Sequence, residues 1–317
     1  MAPSWQEVEQ QRNALLNHAL ARNTLRTYRT GINHYRTFCY LYHVDPLPLS
    51  EHTLENFCVY LHTRVSFKAI KVYLCGVQFC SKMHGDTTII SQMLRLEYVI
   101  MAIRRVQGNS FARPARPPIT WDMIIRICQH VSQTESSHDG TMLQAVTLLA
   151  FFGLLRVSEY TSPTPNLVDP ATLMVSDVRI DWQRRVALVN IKQSKTDPFR
   201  QGVTIRVGVM AHNLCPVRAM ARYLAVRGVQ TGPLFIFRNG MFLTRARVLD
   251  MLTCALPDVP FVNTHSFRRG GASALASAGT SEELIQILGR WKSKAYRDYI
   301  TFTDEFIATA QERMVQQ

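Results

Sequence analysis

Several features are missing from this sequence, and each absence excludes a class. The seven cysteines, Cys39, Cys58, Cys75, Cys80, Cys128, Cys215 and Cys254, contain no C-x-x-C pair, and their number is odd. A disulfide framework or a zinc site is therefore disfavoured, and reduced thiols in a helical interior, in cytosol or nucleus, are expected. The ten histidines show no ligand spacing with cysteines or carboxylates. There is no P-loop, H-E-x-x-H, G-x-S-x-G, or G-x-G-x-x-G after a strand. Neither ATP nor a bound metal is indicated, and no cofactor is expected. The longest apolar stretch, residues 145–155, falls short of the roughly 18 residues a membrane span needs. The N-terminus is polar and acidic, without the basic start or apolar core of a secretory signal. Acidic residues are also scarce, 23 against 36 lysines and arginines, leaving a net charge of +13.

What is present describes a packed, basic protein. With 317 residues the chain is long enough for two domains at roughly 150 residues each. Apolar residues make up 47 % and charged residues only 19 %, so a core is available and disorder is excluded. Such a positive field suits a polyanion, nucleic acid first and an anionic membrane surface second. The charge is no basic tail: residues 1–115 hold 13 Lys/Arg against 7 Asp/Glu, and the rest hold 23 against 16. Two positive halves suggest a clamp around a duplex.

The first hundred residues read as consecutive helices. Ser4 and Glu7 form a capping box opening a helix toward Ala21. Asn23 caps a second, with Leu25, Tyr28, Ile32, Tyr35, Cys39 and Tyr42 in one apolar stripe, ended by Pro46 and Pro48. Ser50 and Ser66 cap a third and fourth, and a fifth surrounds Leu96, Val99 and Ile103. A Gly/Pro/Arg-rich stretch, 107–118, is the linker. Beyond it lie helices after Thr120 and over 140–155, short strands over 173–180, 186–191 and 203–207, then helices to the end. The expected fold is mainly α with a small antiparallel sheet.

A set of cations surrounds a late tyrosine. Arg156 follows a nearly all-apolar helix, where it either has a task or pairs with Glu159 three residues on. Lys195 sits in a polar turn between two strands, where a lysine is ordinarily just solvated. His265 and Arg268, three apart, share a helix face and could reach one phosphate. A Leu-Gly turn at Gly289 precedes Arg290, Trp291, Tyr296 and Tyr299.

These pieces, in this order, resemble the tyrosine recombinase and integrase family, and most closely its eukaryotic Crypton-type and DIRS-like mobile-element branch. The resemblance covers about residues 20–304. Thr24-Leu-Arg-Thr-Tyr28 is similar to the start of the family's core-binding domain. Arg156 in G-L-L-R-V-S-E, Lys195 in S-K-T-D, His265 and Arg268 in H-S-F-R, and Tyr299 match its catalytic set. The resemblance implies a helical, SAM-like core-binding domain over 1–106, the linker 107–118, and an α+β catalytic domain over 119–317. It implies site-specific recombination or integration of a mobile element by reversible transesterification through a 3′-phosphotyrosine, without metal or ATP.

Tyr299, ten residues beyond Gly289, is then the nucleophile and Tyr296 a packing residue. Arg156 and Arg268 hold the phosphate, Lys195 protonates the leaving 5′ oxygen, and His265 assists the nucleophile. Where many members have histidine after the glycine, this chain has Arg290 and then Trp291, so either could fill the sixth position. The implied partners are double-stranded DNA and further copies of the chain, a monomer or weak dimer when free and a tetramer at synapsis, in the nucleus. A C-terminal helix over 303–314 docks on a neighbour or packs on its own domain. From position and charge alone, Arg26, Arg29, Lys68, Lys71, Arg104 and Arg105 are DNA-contact candidates. The competing functions are a host-recruited DNA-binding protein that no longer cuts, and a type IB topoisomerase.

Overall fold

The computed structural model describes residues 2–312 apart from 113, 115, 195, 196, 198, 229, 230 and 303. It divides into two compact units, Met1–Arg113 and Pro114–Gln317. No helix among the described residues is long and apolar enough to cross a membrane.

Among its described residues the first unit has five α-helices, three of which start at a capping serine. In α1 (Trp5–Asn17), Ser4 and Glu7 form the expected capping box, although the helix stops four residues short of Ala21. The second helix, α2 (Arg22–Tyr42), has no side-chain cap. Asn23 lies inside it, because extended Ala21 already turns the chain. Nor do the prolines end it: His43 in the left-handed conformation, φ 53°, closes the last turn against the Cys39 and Tyr40 carbonyls. Ser50 and Ser66 cap α3 (Glu51–Leu61) and α4 (Phe67–Met83) by accepting from Thr53 N–H and Ala69 N–H. The core joins Tyr35, Phe38 and Cys39 of α2 to Leu54, Phe57, Leu61, Ile70, Leu74 and Val77, and to Leu96 and Ile103 of α5 (Leu94–Gln107). Tyr42, at the end of the expected stripe, stays 57 % exposed. Gln107, the first residue of the expected linker, is instead the last of α5. Its buried amide accepts from Phe67 N–H at 2.7 Å and donates to His62 O and Val65 O, at 2.6 and 2.9 Å.

The second unit is built around α7 (Ser137–Phe152), whose residues from Met142 onward are mostly apolar all round, as a helix sheathed by others must be. Packed with it in one core are α6 (Trp121–Thr134), α9 (Pro216–Arg227), α10 (Arg245–Ala255) and Phe267 of α11 (Ser266–Ser277). A short α8 (Val157–Tyr160) follows α7. The antiparallel sheet, β1 (Val178–Asp181), β2 (Val186–Ile191) and β3 (Val203–Gly208), has the order β1-β2-β3, with Val189 facing Val178 and Ile205. Its first strand is shorter than expected because 175–177 form a 3₁₀ turn. After α11 come α12 (Glu282–Leu288), a 3₁₀ helix over Lys294–Tyr299, and α13 (Asp304–Glu312), the last element among the described residues. All seven cysteines are free; Cys39, Cys58, Cys128 and Cys215 are buried, while Cys75 and Cys254 are exposed rather than interior.

Leu148, in the C-terminal half of α7, is fully buried. Leu148→Ala is expected to lower the stability of this unit by about 2–5 kcal/mol, measured by denaturant unfolding followed by circular dichroism.

Candidate active site

Two helices end at one point. After α7 the chain turns through Leu154, φ 48°, with Leu155 N–H bonded to Ala150 O at 3.1 Å. After α12 it turns through Arg290, φ 57°, with Trp291 N–H bonded to Gln286 O at 3.0 Å. A left-handed residue other than glycine costs about 1–3 kcal/mol, so these turns persist only because their surroundings hold them. Helix C-termini leave carbonyls without intrahelical partners and carry partial negative charge. The Arg268 guanidinium lies between the two ends and donates to Leu154 O and to Gly289 O. Arg268 is fully buried.

Helix α11 can come this close because of Gly270 and Gly271. A Cβ on them would lie 2.0 Å from Ile119 O and 2.5 Å from Phe151 O. The indole of Trp291 covers Arg268, with Cζ 4.2 Å from its ring centroid, a cation–π contact of about 2 kcal/mol once desolvated. That placement needs Gly289, where a Cβ would sit 1.5 Å from the indole. Burial, then the Arg156 and Arg290 charges, push the Arg268 guanidinium down to about 9, still a cation at neutral pH.

Around this centre a buried carboxylate gathers two more arginines. Arg156 precedes α8, its N–H donating to Glu159 Oε2 at 2.9 Å and its Nη1 to Glu159 Oε1 at 3.1 Å. Arg290 donates to Glu159 Oε2 at 2.8 Å and to Gly153 O and Leu154 O at 3.3 and 3.2 Å. Burial lowers the pKa of Arg290, against the raising pull of the Glu159 carboxylate and with a smaller lowering contribution from the Arg156 charge. The Arg156 side chain is 14 % exposed, against 8 % for Arg290 and 2 % for Glu159. Arg156 is therefore the member of this trio that best reaches solvent.

His265 stands immediately before α11, and its Nε2 lies 2.8 Å from the Tyr299 hydroxyl. Trp291 meets the Tyr299 ring nearly edge-on, with centroids 5.2 Å apart, and Arg268 Cζ is 5.8 Å from that ring. Burial, followed by the charges of Arg116, Arg268, Arg269 and Arg156, pushes the His265 imidazole down to about 4. It is neutral at pH 7, so a ring with its proton on Nδ1 accepts the phenol hydrogen at Nε2. Tyr296, by contrast, is buried and donates to Glu282 Oε2 at 2.6 Å.

Opposite Trp291 is the β2–β3 hairpin. A cleft of about 450 Å³ runs between Ser194, Asp197 and Gly202 on one side and Gln286, Arg290 and Trp291 on the other. Lys192 is held by Asp177 at 3.0 Å. Lys195 falls between two residues that line the cleft, but itself lies outside the described residues.

Solved structures share this architecture. A lambda integrase dimer bound to a COC′ core site is 15 % identical over 93 % of this chain and 94 % of its own, with a TM-score of 0.60. The chain has the tyrosine recombinase fold. XerH site-specific recombinase bound to difH in a pre-cleavage complex is 15 % identical over 90 % of this chain and 78 % of its own, with a TM-score of 0.57. The Tn1549 transposon integrase in complex with transposon right-end DNA is 15 % identical over 92 % and 99 %, with a TM-score of 0.52. No protein-family model and no curated protein matches the sequence.

Six of the seven expected site residues thus converge: Arg156, His265, Arg268, Arg290, Trp291 and Tyr299. Arg268 departs from expectation, since its two Nη groups serve main-chain carbonyls beneath Trp291 instead of sharing an open face with His265. Arg290 and Trp291 do not compete for one place, because the left-handed turn sends the first to Glu159 and the second over Arg268. The expected pairing of Arg156 with Glu159 is present, but the second arginine on that carboxylate, 131 residues away, has no signal in the sequence. In the first unit Arg26, Arg29, Lys68, Lys71, Arg104 and Arg105 are all exposed. Lys71 and Arg104 each lie 5.7 Å from the centroid of the Phe67 ring.

Two expectations follow from these charges. The unfolded imidazole, with its pKa near 6.5, binds a proton more readily than folded His265, so its contribution to stability is full above pH 6.5 and is lost as pH falls toward 4. NMR titration of the free protein should give a His265 pKa well below 6.5, and His265→Gln should flatten stability across that window. Glu159→Gln leaves two guanidinium groups without their counter-charge and should cost about 3–5 kcal/mol, read as a lowered melting temperature.

Proposed function

We propose that the chain is a DNA strand-transfer enzyme acting through a covalent 3′-phosphotyrosine. The observation that carries this is the Tyr299 hydroxyl held 2.8 Å from neutral His265 beside Arg156, Arg268 and Trp291. A phosphodiester under attack gains negative charge on its non-bridging oxygens, which fixed guanidinium groups stabilise. Tyr299 Oη would bond to phosphorus as its proton passes to His265 Nε2. The bond from phosphorus to the 5′ oxygen would break, and Lys195 would supply the proton that oxygen needs. Arg156 is the arginine placed to meet the phosphate, with Arg268 and Arg290 setting the field behind it. No bond energy is lost, so the reverse step rejoins the strand without ATP. Among the described residues no group of three or more His, Cys, Asp or Glu could hold a metal ion.

On this reading the core-binding domain runs through Gln107 at the end of α5, 119–317 form the catalytic domain, and 108–118 are the linker between them. Arg26, Arg29, Lys68, Lys71, Arg104 and Arg105 neutralise phosphates, so binding weakens steeply with salt. Four copies would synapse two sites in the nucleus, recombining a mobile element of the Crypton or DIRS kind. The DNA-bound state of the lambda integrase, XerH and Tn1549 structures supports a double-stranded DNA partner.

The test uses a library of randomised, nicked DNA duplexes. Wild type should form a protein–DNA adduct that survives denaturation. Tyr299→Phe should form none while still binding DNA, and Tyr296→Phe should retain the adduct. Binding with no adduct from wild type would identify a non-cutting DNA-binding protein. Adducts accompanied by supercoil relaxation from a strictly monomeric protein would identify a topoisomerase. An adduct persisting in Tyr299→Phe would refute the assignment of the nucleophile.

A further inference from the structure

We propose that Arg269 and Ser273 are positioning residues that fix the reactive hydroxyl of Tyr299, an inference resting on the functional reading above. His265, Arg269 and Ser273 are spaced four apart and so form one row along α11. Each grips a different point of residues 298–301. His265 Nε2 meets the phenol oxygen at 2.8 Å. Arg269 Nη1 donates to Asp298 O at 2.7 Å and its Nη2 to Thr301 Oγ1 at 3.1 Å, spanning the tyrosine from the residue before it to the second after it. Ser273 Oγ donates to Tyr299 O at 3.3 Å and accepts from Thr301 N–H at 2.9 Å.

The gripped segment has little rigidity of its own. It is the end of a six-residue 3₁₀ helix, whose hydrogen-bond geometry is poorer than that of an α-helix, and its closing bond from Ile300 N–H to Arg297 O is 3.3 Å. Its anchor, in contrast, is rigid, since Gly270 and Gly271 lock α11 against Ile119 and the end of α7. The Arg269 Nε is buried without a hydrogen-bond partner among the described residues, so this guanidinium is committed to the clamp through its two Nη groups. Because Arg268 projects from the same helix, the clamp ties the nucleophile and a site cation to one element.

The chain has 11 tyrosines, which 3-fluorotyrosine labelling makes visible by fluorine NMR, with Tyr299→Phe assigning the signal of interest. Arg269→Ala and Ser273→Ala should each move and sharpen the Tyr299 signal toward that of free fluorotyrosine, while the other signals and the melting temperature hold. Ser273→Thr, which keeps the hydroxyl, should restore it. An unchanged Tyr299 signal in the double alanine variant would overturn the proposal, whatever the protein does to DNA.

On the duplex captured by wild type, Arg269→Ala should slow single-turnover adduct formation by about 10²-fold with DNA affinity held within about twofold, the cost of a nucleophile misplaced by about 1 Å. Replacing the bridging 5′ oxygen by sulfur gives a leaving group that needs no proton. It should rescue Lys195→Ala but not Arg269→Ala, and rescue of Arg269→Ala would place Arg269 on the leaving-group side and overturn the clamp. If wild type forms no adduct while the fluorine shifts appear as expected, the strand-transfer reading fails and the structural clamp stands.

Discussion

Everything at the site depends on the meeting of two helix C-termini across one buried guanidinium. Arg268 bonds to Leu154 O and Gly289 O, and so connects the end of α7 to the end of α12. Arg156 and Glu159 follow directly from the first end, Arg290 and Trp291 from the second. A cation in this position removes the mutual repulsion of two negative helix ends and satisfies carbonyls that water cannot reach. Arg268 is thus structural and electrostatic at once. Its positive charge helps keep His265 neutral, and its planar face is the floor on which Trp291 rests.

The neutral state of His265 gives the pair with Tyr299 a direction. A protonated imidazole would only donate, whereas a neutral one can receive the phenol proton. Burial in the company of arginines enforces that state, and a bound phosphate would work against it by screening the same charges. Protonation of His265 and occupancy of the site by an anion are therefore linked, each favouring the other.

Much of this organisation was legible in the sequence. Ser4, Ser50, Ser66 and Thr120 mark helix starts because their side chains serve nearby backbone groups, a purely local matter. The three strands were visible as β-rich runs between turn residues. Asn23, Pro46 and Pro48 misled because tertiary packing and a left-handed His43, not local residue type, set the limits of α2. At the site, residue order identified which side chains matter but not how they divide the work. Arg268 bonds to partners 114 and 21 residues away, and Arg290 to one 131 residues away. No short-range pattern encodes that Arg268 lies beneath Trp291 or that Glu159 serves two arginines.

The left-handed turn at Arg290 has a further meaning for the length of the chain around it. Two successive side chains leave it for different destinations, one to Glu159 and one over Arg268, and eight residues later Tyr299 arrives opposite His265. Along a 3₁₀ helix one inserted residue rotates everything beyond it by about a third of a turn, which would carry the phenol away from the imidazole. Between Gly289 and Tyr299 the number of residues is therefore as constrained as the identity of Arg290, Trp291 and Tyr296. The segment behaves as a ruler that measures the distance from the end of α12 to the His265 imidazole.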